Sequence, residues 1–540
     1  MKVACIYLCN YKDKNDYYIS LMPSGIISIA SYLESKGFDV VLANLSTYGA
    51  KKGVDIILKE DPDAIAISIF SYNREESFKF IKEIKKHNAD IKIIAGGQHP
   101  TFLSEELLKE YPEIDYVVKG EGEIAVEEIL QQHKKITAKI ISRERIAKLD
   151  ELPFVSAFSG RMIGVNPNEQ FQFIITSRGC PSHCTYCSSP NFWKQKVTFR
   201  SAKSIIDELM LLRDKYGVIY FSIRDDNFTL NKKRVIEFTD LLRKSELNMM
   251  WDCQARVDTI DYEMLMAMKS CGLEHIQFGV ESGSEKILRL YDKSITADMI
   301  KKAAEATRRA GIYLSFYLMV GMDEESEDDI DLTIKLLHEA LPHDAVISPV
   351  AYYPGTELYN ISRKKGKVSD EIWLKAKPEA VYLKDQKITL PQINKIMKEL
   401  AVVSKRASYT LKDFKKMKEA ENGGFWITHI MEGDYYISRG HISEGQKAYK
   451  NLIKKYPQNI WGYLRLGDLL TNIYPLESIK YLHQAAEIAP AYYWPWFLIA
   501  TVQLNLKRYK DAYSSAQKAL KLNPYDNDVL SLIKKLSKLK

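Results

Sequence analysis

Short apolar runs alternate with amphipathic stretches of helical length, twice over, along most of this chain. That alternation predicts an α/β architecture with parallel sheets. The first set reads as strands over 3–8, 39–44, 64–68, 91–95 and 116–118, with helices over 24–36, 78–87 and 124–133. The second set reads as strands over 171–177, 218–223, 249–255, 275–280, 313–320 and 345–352. Helices over 204–215, 232–244, 262–270, 285–310 and 328–340 fall between them, making six β/α units. Ligands of such sheets bind beyond the C-terminal ends of the strands. Between the two sets, Leu152-Pro153-Phe154 and Asn166-Pro167-Asn168 are turn signals that mark 143–168 as a linker.

The first strand of the second set runs into Arg178-Gly179-Cys180-Pro181-Ser182-His183-Cys184-Thr185-Tyr186-Cys187. Three thiolates at this C-x3-C-x2-C spacing hold three irons of a four-iron cluster and leave the fourth without a protein ligand. Structural zinc normally takes four Cys/His ligands. His183 would complete four only by straining a tetrahedron from inside the loop, and Cys253 and Cys271 lie apart in the chain. Buried free thiols are the other alternative. Three thiols in one Gly/Pro-flanked loop favour a [4Fe-4S] cluster with Cys180, Cys184 and Cys187 as ligands.

The loop, the strand before it, Arg178-Gly179 and Tyr186 resemble the cluster motif of the radical S-adenosylmethionine (SAM) superfamily. The six β/α units fit that family's open partial barrel. The resemblance implies that the open iron chelates the amino and carboxylate groups of SAM. One electron, from a flavodoxin- or ferredoxin-type donor, then cleaves a carbon–sulfur bond to give a 5′-deoxyadenosyl radical. It also implies cofactor contacts: the Tyr186 backbone at adenine, and the backbone of Asp225-Asp226-Asn227 at the SAM amino group. Arg256 is expected at the SAM carboxylate, because a guanidinium fits a carboxylate bidentately. Glu281, in Gly279-Val280-Glu281-Ser282-Gly283, is expected to face SAM, with Ser315 and Gly321 as weaker candidates. The plain alternatives are a helix cap for the Asp-Asp-Asn run, a surface ion pair for Arg256 and a structural hydrogen bond for Glu281. No residue is assigned as a catalytic acid or base.

Met22-Pro23-Ser24-Gly25, Ser68-Ile69-Phe70-Ser71, Gly96-Gly97-Gln98-His99-Pro100 and Lys119-Gly120-Glu121-Gly122-Glu123 follow strands or open helices of the first set. Together they resemble the Rossmann-like cobalamin-binding domain that precedes many radical SAM barrels. Ser68, Gly96, Gly97 and Gly120 are then expected against the cofactor, the glycines leaving a path for its nucleotide tail. One departure matters: residues 9–18 carry no histidine where many such domains place a cobalt ligand. His99 sits on another loop and reads as a surface or tail contact. Cobalamin is expected without a lower protein ligand; the alternative is a retained fold that has lost the cofactor.

Residues 357–425 read as packing helices beside the barrel, on its substrate side by resemblance, with a break at Asn422-Gly423-Gly424. Beyond them, Pro457, Pro490 and Pro524 recur at spacings of 33 and 34, with small and aromatic residues between. This resembles three tetratricopeptide (TPR) repeats closed by a polar helix to Lys540; a generic helical bundle is the alternative. The expected domains are therefore 1–142, a linker 143–168, a partial barrel 169–356, a connector 357–425 and repeats 426–540. At 540 residues about three domains are expected in any case. A net charge of +7 without a basic block gives no sign of nucleic-acid binding. The chain has no apolar run of about 18 residues for a membrane span and no signal-peptide pattern. Its seven cysteines, three of them clustered, suit a reducing, cytoplasmic setting.

The assembly implied is a cobalamin-dependent radical SAM methyltransferase acting on an unactivated carbon. A radical cyclase or rearrangement enzyme is the runner-up within enzymes. An interaction protein with a vestigial barrel is the reading from another class. The repeats would bind a peptide, a protein or a carrier-bound substrate.

Overall fold

The computed structural model describes residues 1–9, 21–132, 136–375 and 380–539. Much of the loop over 9–18 and the ends of the helices expected at 133 and 540 lie outside these residues.

The first sheet has seven parallel strands: β1 (Lys2–Tyr7), β2 (Asp39–Asn44), β3 (Ala64–Ser68), β4 (Lys92–Gly96), β5 (Tyr116–Lys119), β6 (Ile140–Ser142) and β7 (Arg161–Ile163). Their order is β6-β5-β4-β3-β1-β2-β7, so the direction of winding reverses at β1. Such a switch point is where open α/β sheets bind ligands. Strand β7 lies within the stretch read as a linker, yet it pairs with β2 and completes this sheet. A helix over Gly49–Leu58, absent from the sequence reading, crosses from β2 to β3. It has glycine at its start and middle and no capping side chain, so its helix signal is weak.

The second sheet carries the barrel: β8 (Phe173–Ile174), β11 (Tyr220–Ile223), β12 (Met250–Ala255), β13 (Leu273–Glu281), β14 (Tyr313–Val320) and β15 (Asp344–Pro349), all parallel. The order β15-β14-β13-β12-β11-β8 is open at both edges. Two short antiparallel pairs flank it: β9 (Ser177–Arg178) with β10 (Thr198–Phe199), and β16 (Ala351–Tyr352) with β17 (Val381–Tyr382). The strand expected over 171–177 thus breaks after Ile174, and the one expected over 345–352 breaks at Val350. The helices expected across 285–310 are Glu285–Leu290 and Ala297–Ala310.

One apolar core runs without interruption from the first sheet, through Val3, Cys5 and Tyr7, into the barrel at Phe221, Trp251 and Phe316. The connector divides its packing. Helix Gln386–Ala407 lies beside the barrel, burying Ile396 and Val403 in that core. Trp373, fully buried, packs instead in the core on the other side of the first sheet. There the Arg74 guanidinium stacks 4.8 Å from its ring centroid, so this part of the connector clamps the two α/β units together.

Residues 426–537 form three helical hairpins and a closing helix, Asn527–Ser537. Small residues set their spacing: a side chain on Gly467 would meet Leu482 at 2.8 Å. The array docks on the barrel through Trp426, whose ring lies against Gly272, and through Trp461, whose Nε1 donates to Asn248 O at 2.9 Å. Just ahead of the array, Glu421 of the connector forms a buried ion pair with Lys269 at 2.9 Å. Gly272 immediately precedes β13 and Asn248 lies two residues before β12, so the array covers the N-terminal ends of the barrel strands, away from the cysteines.

Candidate functional site

The cysteine loop is shaped by a carboxylate from the next strand. Asp225, just past β11 and 1% exposed, accepts from Thr176 N at 2.6 Å and Ser177 N at 3.0 Å. It also takes both hydroxyls of that pair. These bonds pull the chain out of the parallel ladder after Ile174 and turn it into β9. The backbone of this segment was expected at the SAM amino group; the Asp225 side chain itself serves the loop, where its lone pairs are spent. At Gly179 the backbone turns with φ +104, and any side chain would run into Lys196 O.

Cys180 and Cys184 are buried and Cys187 partly so. Burial pushes the Cys187 thiol up to about 12, so iron must displace its proton to bind. Among the described residues no three His, Cys, Asp or Glu side chains converge on a point that would hold one metal ion. A four-iron cluster asks for something else: each thiolate meets a different iron. His183 is turned aside, its Nδ1 3.0 Å from Gln195 Nε2. Thr185 N donates to Tyr291 O at 2.9 Å and Leu358 N to Thr185 O at 2.8 Å, which tie the loop to the barrel. Three soft thiols on one pinned loop fit a cluster ligand set.

Beside the loop, Tyr186, Glu281 and Lys293 form a compact triad. Tyr186 OH donates to Glu281 Oε1 at 2.9 Å, and Lys293 Nζ reaches Glu281 Oε1 at 2.9 Å and Tyr186 OH at 3.0 Å. Glu281 ends β13 at a break in register, with φ 69. Gly279 makes room for the ion pair: a side chain there would stand 2.8 Å from both Glu281 Oε1 and Lys293 Nζ. Burial and the Glu281 carboxylate raise the Tyr186 phenol well above its usual value. Lys293 escaped the sequence reading because nothing in Tyr291-Asp292-Lys293 distinguishes it from a surface lysine.

Arg256 is held more firmly than expected for a free carboxylate clamp. It binds both oxygens of Asp258, at 2.9 and 2.7 Å, and donates to Lys293 O at 2.9 Å. Its remaining edge, Nη1, lies 3.9 Å from Cys184 Sγ. Asn227 is buried; Oδ1 accepts from Thr229 and Thr259, and Nδ2 has no partner among the described residues. Asp226 turns to the cavity described next, with Ser189 Oγ donating at 2.6 Å. The protein around Asp226 raises its carboxyl above the ordinary range.

A cavity of about 450 Å³ lies between the C-terminal ends of the two sheets. Ser68, Gly96, Gly97 and Gly120 wall it on one side, Gly179, Arg224 and Asp226 on the other. A side chain on Gly25 or Gly120 would meet nothing within 4 Å, so glycine there leaves space to a ligand. Gly97 is required by the protein itself: its φ is +103 and a Cβ would stand 2.7 Å from Ile69 O. This cradle fits a large cofactor that approaches the backbone.

Across the cavity rim Arg178 pairs with Glu121 and Glu123, each at 2.7 Å. Burial opposes ionisation of Glu123, but Arg178 and Ser28 hold its carboxyl below the usual range. His99 is neither at the surface nor on the cavity wall. It is 1% exposed, with Nδ1 3.0 Å from Ser71 Oγ. Burial and then Arg74 lower its pKa to about 3.

Comparison with known proteins agrees with this geometry. The Radical SAM superfamily model matches residues 174–337, and the B12 binding domain model matches residues 17–130. An uncharacterized methyltransferase of Pyrococcus horikoshii is 28% identical over 396 residues, spanning 70% of this chain and 85% of its own. The anaerobic magnesium-protoporphyrin IX monomethyl ester cyclase of Rubrivivax gelatinosus is 25% identical over 378 residues, spanning 64% and 67%.

Two solved structures share the fold. The radical SAM methyltransferase TsrM from Kitasatospora setae aligns with a TM-score of 0.61 at 14% identity, over 77% of this chain and 90% of its own. The cobalamin-dependent SAM radical enzyme OxsB with aqua-cobalamin bound aligns at 0.54 and 18%, over 99% and 84%. The chain therefore carries a radical SAM domain preceded by a B12-binding domain. It is a radical SAM enzyme whose cofactors are a [4Fe-4S] cluster, SAM and cobalamin, and it needs an electron donor. Among the described residues no helix is long and apolar enough to cross a membrane.

Proposed function

We propose that this protein is a cobalamin-dependent methyltransferase that acts on an unactivated carbon. The observation that carries the reading is the single cavity shared by the glycine-lined strand ends of the first sheet and the cysteine-loop end of the barrel. When bound, the cluster delivers the electron that cleaves SAM, and cobalamin supplies the methyl group.

The chain's residues hold and orient these groups. Cys180, Cys184 and Cys187 would hold the cluster, with no fourth protein thiolate beside them in the loop. Tyr186, Glu281 and Lys293 present a charged, hydrogen-bonding wall to the nucleoside, and Asn227 Nδ2 offers a donor. Arg256 positions the loop through Lys293 O and lies against Cys184. Gly25, Gly96 and Gly120 keep the cofactor path clear, with Ser68 beside it. Arg178, bridging the sheets through Glu121 and Glu123, closes the cavity against bulk water. Residues 1–142 and 169–356 are taken as the two cofactor units.

The helical array is read as tetratricopeptide repeats, on its proline spacing and close helix contacts. A peptide or protein bound there meets the N-terminal side of the barrel and does not enter the cavity mouth. A flavodoxin- or ferredoxin-type donor and a cytoplasmic setting complete the reading. The cyclase relatives favour a second outcome, ring formation from the same radical without methyl transfer.

The test is anaerobic purification, reconstitution with iron and sulfide, and incubation with SAM, reductant and hydroxocobalamin. Retained cobalamin with both 5′-deoxyadenosine and S-adenosylhomocysteine supports methylation. Deoxyadenosine alone, without S-adenosylhomocysteine, overturns it and leaves the cyclase reading.

A further inference from the structure

The lumen of this barrel is lined unlike that of a closed one. Closed (β/α)8 barrels fill their interior with branched apolar side chains. Here the inner face carries Ser222, Asp252, Gln254, Gln277, Ser315 and Tyr317. The register puts Ser222 beside Asp252, Gln254 beside Gln277, and Gln277 beside Ser315, so these residues share one face. Among the described residues no strand closes the sheet between β15 and β8, which leaves that side of the lumen open to water. Val346 on β15, in register with Tyr317, is 47% exposed.

Arg224 stands where this lumen meets the interdomain cavity. Other arginines at the cavity and the cysteine loop have carboxylate partners: Arg178 with Glu121 and Glu123, Arg200 with Glu208, Arg256 with Asp258. Arg224 has no carboxylate within 4.0 Å among the described residues. Its guanidinium lies 5.3 Å from the Phe173 ring centroid, and Nη1 reaches Gln277 Oε1 only at 3.5 Å. That oxygen is already held by Tyr317 OH at 2.7 Å, and Tyr317 in turn accepts from Gln254 Nε2 at 3.0 Å. The chain of partners orients the guanidinium without neutralising it. A half-buried cation of this kind is completed by a ligand that brings the negative charge, and a guanidinium takes a carboxylate or phosphate through two parallel bonds.

We propose that Arg224 anchors an anionic oxygen group, a carboxylate or a phosphate, on the substrate that enters the barrel lumen. Gln254, Gln277 and Tyr317 fix the orientation of Arg224 and offer further hydrogen bonds to that substrate. This rests on the radical SAM reading and adds the substrate's chemical class. The same charge is also carried by the SAM carboxylate and by the phosphate of cobalamin, so the experiment separates the three sources.

Full-length protein, reconstituted without oxygen, is titrated calorimetrically with succinate, inorganic phosphate, SAM and hydroxocobalamin. Wild type, Arg224→Gln and Arg224→Lys are compared, with melting curves to establish folding. The expected result is saturable succinate or phosphate binding to wild type, weakened about tenfold or more in Arg224→Gln. In Arg224→Lys it is weakened less, because charge remains without the fork. SAM and hydroxocobalamin affinities stay within about twofold, since the anion is neither of theirs. Absent anion binding in wild type, or equal binding in all three proteins, overturns the proposal. A loss confined to SAM or to hydroxocobalamin overturns the substrate assignment and gives Arg224 to that cofactor. Deoxyadenosine and S-adenosylhomocysteine, assayed on the same wild-type preparation, report on the methyltransferase reading separately.

Discussion

The two parallel sheets are built from the same β/α unit, yet they differ on one face. In the first, β1 buries Val3, Ala4, Cys5, Ile6 and Tyr7 completely. Helices cover both faces, as parallel sheets require, and chemistry is confined to the loops at the strand ends. In the second, the outer face is as apolar, with Phe278, Phe316 and Leu318 buried. The inner face carries amide, hydroxyl and charged side chains, and the helical array packs only against its N-terminal end, at Tyr220 and Tyr313. Where a curved sheet leaves its lumen unfilled, the strands themselves become a working surface.

The most severe test of this contrast lies at the barrel end. Cys184→Ala removes one of three iron ligands and is expected to abolish 5′-deoxyadenosine formation, with an unchanged circular dichroism spectrum. Residual cleavage near the wild-type rate would detach the cysteine loop from the chemistry.

Next in size is the first sheet, where function depends on backbone shape. Gly97→Val places a β-branched residue at φ +103 and drives its Cβ into Ile69 O. The expected cost is ~2 kcal/mol or more in urea denaturation, together with loss of hydroxocobalamin retention. SAM cleavage by the reconstituted cluster should survive. Loss of both activities would mean that the two sheets fail as one unit.

Asp225→Asn keeps the shape and removes the charge that four donors address. Iron content after reconstitution should fall, with destabilisation of ~2 kcal/mol. Asp226→Asn, whose carboxyl faces the cavity, should leave iron content intact. Equal iron loss in both variants would remove the distinction drawn between them.

The most gradual effect is a pH dependence. His99 falls from 6.5 to about 3 on folding. Below pH 6.5 the unfolded chain takes up a proton that the folded chain refuses until about pH 3. Stability from neutral His99 is complete above its unfolded value and is lost as pH falls toward the folded one. The slope reaches about 1.4 kcal/mol per pH unit. Urea denaturation at several acidic pH values should show this slope, flattened in His99→Gln. An unaltered slope would assign the acid sensitivity to other groups.

Much of the fold was legible because its signals are local. An apolar run, an amphipathic turn and a glycine at a strand end each depend on a few neighbours. The cysteine loop is equally local, and so are the glycines of the first sheet. The misreadings arose where distant residues intervene. Strand 171–177 carries a good β pattern, but Asp225 draws Thr176 and Ser177 out of the ladder. His99, on a loop in the sequence, is buried by packing against Phe78. The linker 143–168 contains β7 because an unpaired edge beside β2 was available to it.

By itself the sequence determined the β/α alternation, the three-thiol loop, the glycine-lined strand ends and the helical repeats. Each is written in residues near one another in the chain. Tertiary structure alone decided that Lys293 joins Tyr186, 107 residues away. It also turned Asp225 inward, left Arg224 without a carboxylate among the described residues and set the helical array behind the barrel. Those outcomes depend on strand register and on which side chains meet across a sheet, and a one-residue shift in register would have changed every one.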